Sequence, residues 1–398
     1  MRSAADGRPT PVEGSTIPEI LIAAGEPSGD ALAAELVRAA ASIAPDVRFF
    51  GMTGPELEAA GAERVVASEA IAVMGLVEVV GRLPAAWRAL AELEATTVGR
   101  GAAGAILVDS PDFNLRLARR LARRGIPVVQ VVSPTVWAWR PGRIGILRRA
   151  VRRLLVTLPF EAQVYRGTGV DAVYVGNPVV DRVPVSPAPR DTVARRIGAV
   201  AAAPWVAILP GSRASELARI GPILARAARH VREAVPTIEI VVPVAPGVDP
   251  DAVQRALAEG PPVRLVTDGR FEALAHCEVG IAKSGTGSLE LAVLGVPHVV
   301  AWAGAPVTWW AARLLVRGIE HVALPNLIAG KRVVPEFLQG AARPQAIAAP
   351  VITWLTRPEA RAEALGELAA VREALGPPGF ANRAARAALE ALEVPAVI

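Results

Sequence analysis

Largely apolar runs recur at residues 19–23, 105–108, 127–132, 154–157 and 172–175 of this 398-residue chain. Between them, Ala, Leu and Val return at three- and four-residue spacing among Arg, Asp and Glu. Runs of this length without polar alternation predict strands buried on both faces, and the helical spacing predicts helices that cover them. Their alternation predicts a doubly wound parallel sheet. After a Pro- and Ala-enriched stretch at 183–204, a second series of runs follows at 205–209, 238–244, 263–266, 279–282 and 298–302. The pattern predicts an α/β protein with two Rossmann-like parallel-sheet domains facing a cleft, over 18–185 and 200–345. A disordered tail is expected over 1–17 and finishing helices over 346–398.

Composition adds limits. Hydrophobic residues make up 52% of the chain and aromatic ones 4%, a globular balance. The 43 Lys and Arg exceed the 38 Asp and Glu to give a net charge of +5, and Lys occurs only at 283 and 331. Arg clusters at 119–124 (RRLARR) and 148–153 (RRAVRR) fit solvated helix faces, and their chemistry also suits an anionic membrane surface or phosphorylated substrates. One cysteine, Cys277, excludes an intramolecular disulfide and fits a reducing, cytoplasmic compartment. Residues 1–17 carry Asp6 and Glu13 and no apolar core of a secretory signal. Leu291 to Ala312 lacks formal charge, but Gly295, Pro297, Gly304 and Pro306 interrupt it. The expectation there is a helix end, a buried strand over His298 to Trp302, a loop and a new helix rather than a membrane span.

Each half carries loops at predicted strand ends, where ligands of open α/β sheets bind. LIAAGEPSGD (Leu21 to Asp30) reads as strand, Gly-containing turn and helix. ILVDSPDFNLRLA places Asp109 directly after an apolar strand, positioned to take a proton from a substrate hydroxyl. Asp112 beside it reads as turn or N-cap chemistry, with Asn114 in the turn beyond. VVSPTVWAWRPGRI sets Trp137 and Trp139 beside Arg140 and Arg143, which suits a sugar or a phosphate, or places Trp137 in the core. ILPGSRASEL (Ile208 to Leu217) offers helix-start N–H groups and the Arg213 fork to an anion, or is a capped junction with a surface Arg. Ser284-Gly285-Thr286-Gly287-Ser288 forms a second such turn without the GxxxxGK[ST] order of a nucleoside triphosphatase. Glu290 beyond it either accepts from ribose hydroxyls or is a first-turn Glu favoured by the helix dipole. His230, His276, His298 and His321 are scattered without metal-ligand spacing, so no metal is expected; no GxSxG elbow and no nucleic-acid module is present.

Taken together, AGEPSGD (24–30), GMTGPELEAAG (51–61), AVMGLVEVVGRL (72–83), DSPDFN (109–114), VSPTVWAWR (132–140), LPFE (158–161), LPGSR (209–213), SGTGSLE (284–290), LPNLIAG (324–330) and VPEFLQ (334–339) resemble the lipid-A-disaccharide synthase family, glycosyltransferases of the GT-B fold. The resemblance implies transfer of 2,3-diacylglucosamine from UDP-diacylglucosamine to the 6-hydroxyl of diacylglucosamine 1-phosphate, giving the β-1′,6 disaccharide and UDP, by inversion, with neither metal nor other cofactor. It implies Asp109 as base and Arg213 on the diphosphate side. It also implies a UDP site of Gly211, Ser212, Arg213, Ser284, Gly285, Thr286, Gly287, Glu290 and Asn326, with Glu26, Ser28, Asp30 and Met74 toward the acceptor. Ala70 to Leu93 carries Met74, Leu76, Val77, Val79, Val80, Leu83 and Trp87, and reads as a core helix or as a patch dipping into a leaflet. With the Arg clusters it implies peripheral attachment to the cytoplasmic face of the inner membrane. Family members also suggest a homodimer exchanging C-terminal segments. Where the family often has Gly-His-Pro, this chain has Gly176-Asn177-Pro178, and Lys283 and Gly287 vary the nucleotide loop. Two other classes stay open: another sugar-nucleotide enzyme of this fold, such as a peptidoglycan-precursor glycosyltransferase or a UDP-sugar 2-epimerase, and a non-catalytic lipid-binding protein. Intact Asp109, Arg213 and Glu290 argue against the last.

Overall fold

The computed structural model describes residues 17–70, 79–304 and 320–395. The expected tail up to residue 16, Met74 with the rest of 71–78 in the 70–93 patch, and the new helix expected after residue 304 lie outside them. Two parallel sheets organise the chain. The first has the order β3-β2-β1-β4-β5-β6-β7. Its strands are β1 (Glu19–Ala24), β2 (Arg48–Thr53), β3 (Glu63–Ala67), β4 (Gly104–Val108), β5 (Val128–Val131), β6 (Arg153–Val156) and β7 (Ala172–Tyr174). The second has the order β10-β9-β8-β11-β12-β13, with β8 (Trp205–Leu209), β9 (Glu239–Pro243), β10 (Val263–Val266), β11 (Val279–Lys283), β12 (His298–Trp302) and β13 (Glu336–Leu338).

Three of these strands escape the apolar-run pattern. β2 and β3 begin at Arg48 and at Glu63-Arg64, exposed polar positions, and β3 and β13 are sheet edges with incomplete burial. β2 also contains Gly51, at φ +148°, where a Cβ would stand 2.0 Å from the Ile22 carbonyl oxygen of β1. Glycine is needed there because two backbones touch.

Strand order reverses between β1 and β4 and between β8 and β11, so a crevice opens at each carboxyl edge. The loops after these four strands carry Glu26, Asp109, Gly211 to Arg213 and Ser284 to Gly287. The two halves meet through an apolar cluster of Leu158 and Val179 with Leu289, Val293, Val300, Ala323, Val334, Leu368 and Val371. The chain then crosses between them twice. The Pro358–Leu375 helix packs on the second half, and Gly376-Pro377-Pro378-Gly379 returns the chain to the first. There Phe380, Ala384, Ala385, Ala388 and Leu389 of the Phe380–Ala391 helix join the core of Ile20, Ile22, Leu36 and Ile106. Asp181 accepts from the Gly379 and Phe380 N–H groups, and the Tyr174 hydroxyl donates to the Leu375 carbonyl at 2.8 Å. Asn177 caps the Pro178–Arg182 helix by accepting from Val179 N–H at 3.0 Å, and its amide donates to the Thr157 carbonyl. A histidine is not required for that role.

His298 sits fully buried in β12 with Nδ1 2.8 Å from the Val296 carbonyl, so Nδ1 carries the proton and the ring is neutral. Burial lowers its pKa from 6.5 to about 4, against the opposing Val296 hydrogen bond. The unfolded chain therefore binds a proton that the folded chain refuses between those values, and stability falls with pH in that window. The wild type is expected to lose about 3 kcal/mol more than a His298→Phe variant between pH 7.5 and pH 4, read from denaturant midpoints at each pH.

Candidate active site

Strand β4 ends at Val108, and Asp109 and Ser110 follow with φ of +52° and +42° before the Pro111–Arg123 helix begins. Asn114 lies in that helix rather than in a turn, fully buried, and its amide donates to the Val108 and Asp109 carbonyls at 3.0 and 2.8 Å. Burial, then the nearby Glu26 carboxylate, push the Asp109 carboxyl above the ordinary carboxylate range. The Ser110 N–H and the Arg213 guanidinium oppose them. The opposite turn packs close at Gly29, where a Cβ would lie at van der Waals distance, 3.7 Å, from that of Asp109.

Across the cleft, Gly211 turns at φ +106° and Arg213 opens the Ala214–Ala234 helix as its N-cap. Its guanidinium reaches Glu26 of the first half at 3.6 Å. Both side chains are well exposed, so the pair adds little stability, but it brings Glu26, Asp109 and Arg213 to one point between the sheets. Glu216, two residues into the same helix, accepts from Ser212 N–H at 3.3 Å and from the Lys283 ammonium at 2.7 Å. Burial raises the Glu216 carboxyl, but that ammonium, helped by the Arg213 N–H and guanidinium, holds it below its usual range. Lys283, at the carboxyl end of β11, thus ties the two anion loops together. The Thr286–Val293 helix starts from Gly285 and presses so closely on β8 that a Cβ on Gly287 would stand 2.8 Å from Leu209 Cδ2. The Ser288 N–H bonds the Gly285 carbonyl at 3.1 Å, and this helix starts at the carboxyl end of β11 as the Ser212 loop starts at that of β8.

Several expected site residues have other employment. Asp30 is buried and accepts from Gly54 and Glu56 N–H at 2.7 and 2.9 Å, which caps the Pro55–Ala59 helix; Ser28 is exposed on the lip. Asn326 is fully buried and spends its whole amide on the chain. It accepts from Val333 and Val334 N–H, each at 2.8 Å, and donates to the Val334 carbonyl and to Glu336. It braces the 333–334 turn from within the fold. Glu290 lies in the second turn of its helix, buried against Arg270 at 2.9 Å, so the helix-dipole reading does not hold. Asp112 makes no N-cap bond; it pairs with Arg140 at 2.8 Å and with Arg143, whose neighbour Trp139 lies 4.1 Å under the Arg140 guanidinium. Trp137 faces inward, edge-on to Phe160 at 5.2 Å, and donates to Glu161 at 3.2 Å. Burial pushes Glu161 up to about 7, against the Trp137, Leu158, Thr157 and Ser133 donors.

Sequence reasoning passed over Gln130, Glu161, Glu216 and the contribution of Lys283. Two signals were available: the lone polar residue in VVQVV, and one of only two lysines beside SGTGS. Among the described residues, no group of three or more His, Cys, Asp or Glu is arranged to hold a metal ion.

The model of one protein family, lipid-A-disaccharide synthetase, matches residues 20–376. A lipid-A-disaccharide synthase of Myxococcus xanthus is 42% identical over 376 residues, covering 94% of this chain and 98% of its own. One from Anaeromyxobacter dehalogenans is 43% identical over 93% of this chain and 97% of its own. Among solved structures, the UDP-GlcNAc 2-epimerase of Neisseria meningitidis bound to UDP-GlcNAc superposes with a TM-score of 0.61 at 10% identity, covering 94% and 99% of the two chains. MurG of Acinetobacter baumannii gives 0.55 at 13% identity, covering 94% and 99%. These structures share the GT-B fold of two Rossmann-like domains.

Removing the Asn326 amide strands two N–H donors in the 333–334 turn. Asn326→Ala is expected to cost about 2–4 kcal/mol in urea unfolding, as buried donors lose their acceptor. UDP affinity per folded molecule, measured by calorimetry, should change by less than threefold.

Proposed function

The chain belongs to the lipid-A-disaccharide synthetase family and is a glycosyltransferase, and from that premise we propose how its residues run the reaction. The donor is UDP-2,3-diacylglucosamine and the acceptor 2,3-diacylglucosamine 1-phosphate. Asp109, ionised, takes the proton from the acceptor 6-hydroxyl as that oxygen attacks the anomeric carbon. The carbon–oxygen bond to the β-phosphate breaks in the same displacement, the configuration inverts to β, and UDP leaves. Negative charge grows on the diphosphate as it departs. Arg213, the Thr286 N–H group and the nearby Lys283 ammonium stabilise it, which removes the need for a metal ion. The observation that carries this reading is the meeting of Asp109 with Arg213 across the cleft, one group from each half.

Glu26 has two effects in this scheme. It raises the Asp109 pKa, which strengthens the base once ionised, and it holds Arg213 in place until a diphosphate competes for the guanidinium. The rival sugar-nucleotide activities would act on the unacylated sugar. Turnover of UDP-N-acetylglucosamine in place of its diacylated form would favour them.

The same proposal places the enzyme peripherally on the cytoplasmic face of the inner membrane. No described helix is long and apolar enough to cross a bilayer. Trp87 is half exposed, with the Arg116 and Arg120 guanidinium groups 5.8 and 5.4 Å from its ring, beside a groove of about 500 Å³ lined by Glu94, Arg120, Arg123 and Arg124. An aromatic ring flanked by guanidinium groups suits the boundary between acyl chains and anionic headgroups. Pairing of two copies by exchange of the Phe380–Ala391 helix is part of the reading, with the Gly376–Gly379 turn as its crossover.

In single-turnover assays with both lipid substrates in detergent micelles and EDTA, the wild type is expected to form disaccharide and UDP. Asp109→Ala should slow this at least ~100-fold. Full activity in the variant would move the base elsewhere, and metal-dependent loss in EDTA would overturn the metal-free scheme. The acid limb of kcat/KM should lie above the ordinary carboxylate range, because Asp109 must be ionised to act. For the membrane, co-sedimentation with vesicles containing a third phosphatidylglycerol should exceed that with neutral vesicles and weaken with salt. Arg116→Glu combined with Arg120→Glu should reduce it severalfold, and binding indifferent to both changes would remove this face from the membrane contact.

A further inference from the structure

Three residues at the ends of neighbouring strands β4 and β5 have positive φ, and none is glycine: Asp109 at +52°, Ser110 at +42° and the β-branched Val132 at +69°. Such conformations cost energy for side chains with a Cβ and persist where surrounding groups hold them. The holding group is Gln130 of β5, fully buried in an otherwise apolar strand. Its Nε2 donates toward the carbonyls of Val131 at 3.1 Å, Asp109 at 3.3 Å and Val132 at 3.4 Å, so one amide spans both left-handed strand ends. Asn114 meets the same Asp109 carbonyl from the other side.

The arrangement is expensive. Gln130 Oε1, Asn114 Oδ1 and Ser110 Oγ are all buried without a hydrogen-bond partner, three such atoms gathered behind one carboxylate. An apolar side chain at position 130 would avoid one orphaned carbonyl and complete the apolar strand. What it cannot do is donate to the Asp109 carbonyl.

We propose that Gln130 is a positioning residue, which fixes the backbone of Asp109 in its left-handed conformation and so aims the carboxylate at the acceptor hydroxyl. This rests on the assignment of Asp109 as the base. Fold stability is given up at this point for the direction of one side chain.

The test compares Gln130→Leu, Gln130→Glu and Asp109→Asn with the wild type in steady-state kinetics and thermal unfolding. Gln130→Leu is expected to unfold at the wild-type temperature or above, to keep both KM values within twofold, and to lose at least tenfold in kcat. Gln130→Glu has the same shape, and its neutral carboxyl can donate where its ionised form can only accept. Its activity relative to wild type should therefore rise as pH falls, a signature that simple loss of packing lacks, and one that decides the matter if Gln130→Leu fails to fold. A folded Gln130→Leu with kcat within twofold of wild type overturns the proposal, as does a loss confined to KM. If Asp109→Asn is inactive while Gln130→Leu is fully active, only the role of Gln130 falls. If Asp109→Asn keeps full activity, the base assignment itself is wrong.

Discussion

Strand β4 runs through five buried apolar residues and then, within two positions, must hand the chain to a helix while presenting a carboxylate to the cleft. A parallel sheet leaves little freedom for that exchange, because each strand end is flanked by its neighbours and every buried N–H and C=O needs a partner. Here the solution is a pair of left-handed residues braced by the Asn114 and Gln130 amides. Other features of the cleft follow from it. The β1 turn packs at van der Waals distance from Asp109 at Gly29, Glu26 lies close enough to disturb Asp109, and Arg213 finds Glu26 from the other half.

The second half solves a related problem with charge rather than strain. Its two anion loops follow β8 and β11, neighbours in the sheet, and their helix starts would repel one another's positive ends if left bare. Glu216 sits between them, accepting from the first loop's backbone and from Lys283 of the second. The halves are joined chiefly by apolar contact, the Leu158 and Val179 cluster against Leu289, Val293 and Leu368, while among the described residues the exposed Glu26–Arg213 pair links them across the cleft mouth. Joining of that kind keeps the base of the cleft fixed and leaves its mouth weakly bound.

Much of this was legible in the residues. Largely apolar runs located ten strands because doubly covered parallel strands admit few charges, and both doubly wound halves follow from them. β2, β3 and β13 were hidden because an edge, or an exposed first residue, relaxes that exclusion. Asp109, Glu26 and Arg213 were legible because each follows a strand at a switch point, where side chains face the crevice. For Asp30 and Asn326 the intrachain bonds were not legible, because motif membership marks a residue as required without saying what it touches. Each satisfies backbone donors of a neighbouring turn. Nothing in local spacing reveals that Asp30 serves residues 54 and 56, or that Glu290 is matched to Arg270, since these are pairings the tertiary fold creates.

The core of the first sheet is closed by the Phe380–Ala391 helix, which packs on Ile20, Ile22, Leu36 and Ile106. Roughly two hundred residues separate the last strand of that sheet, ending at Tyr174, from Phe380. At a synthesis rate of about 5–20 residues per second, the nascent first half waits on the order of 10–40 s for the helix that covers one of its faces. During that interval an apolar surface is open to the cell, and the second half must emerge and begin folding before the first can finish. The order of synthesis and the order of completion are therefore reversed, which makes the far end of the chain the step on which chaperone release depends.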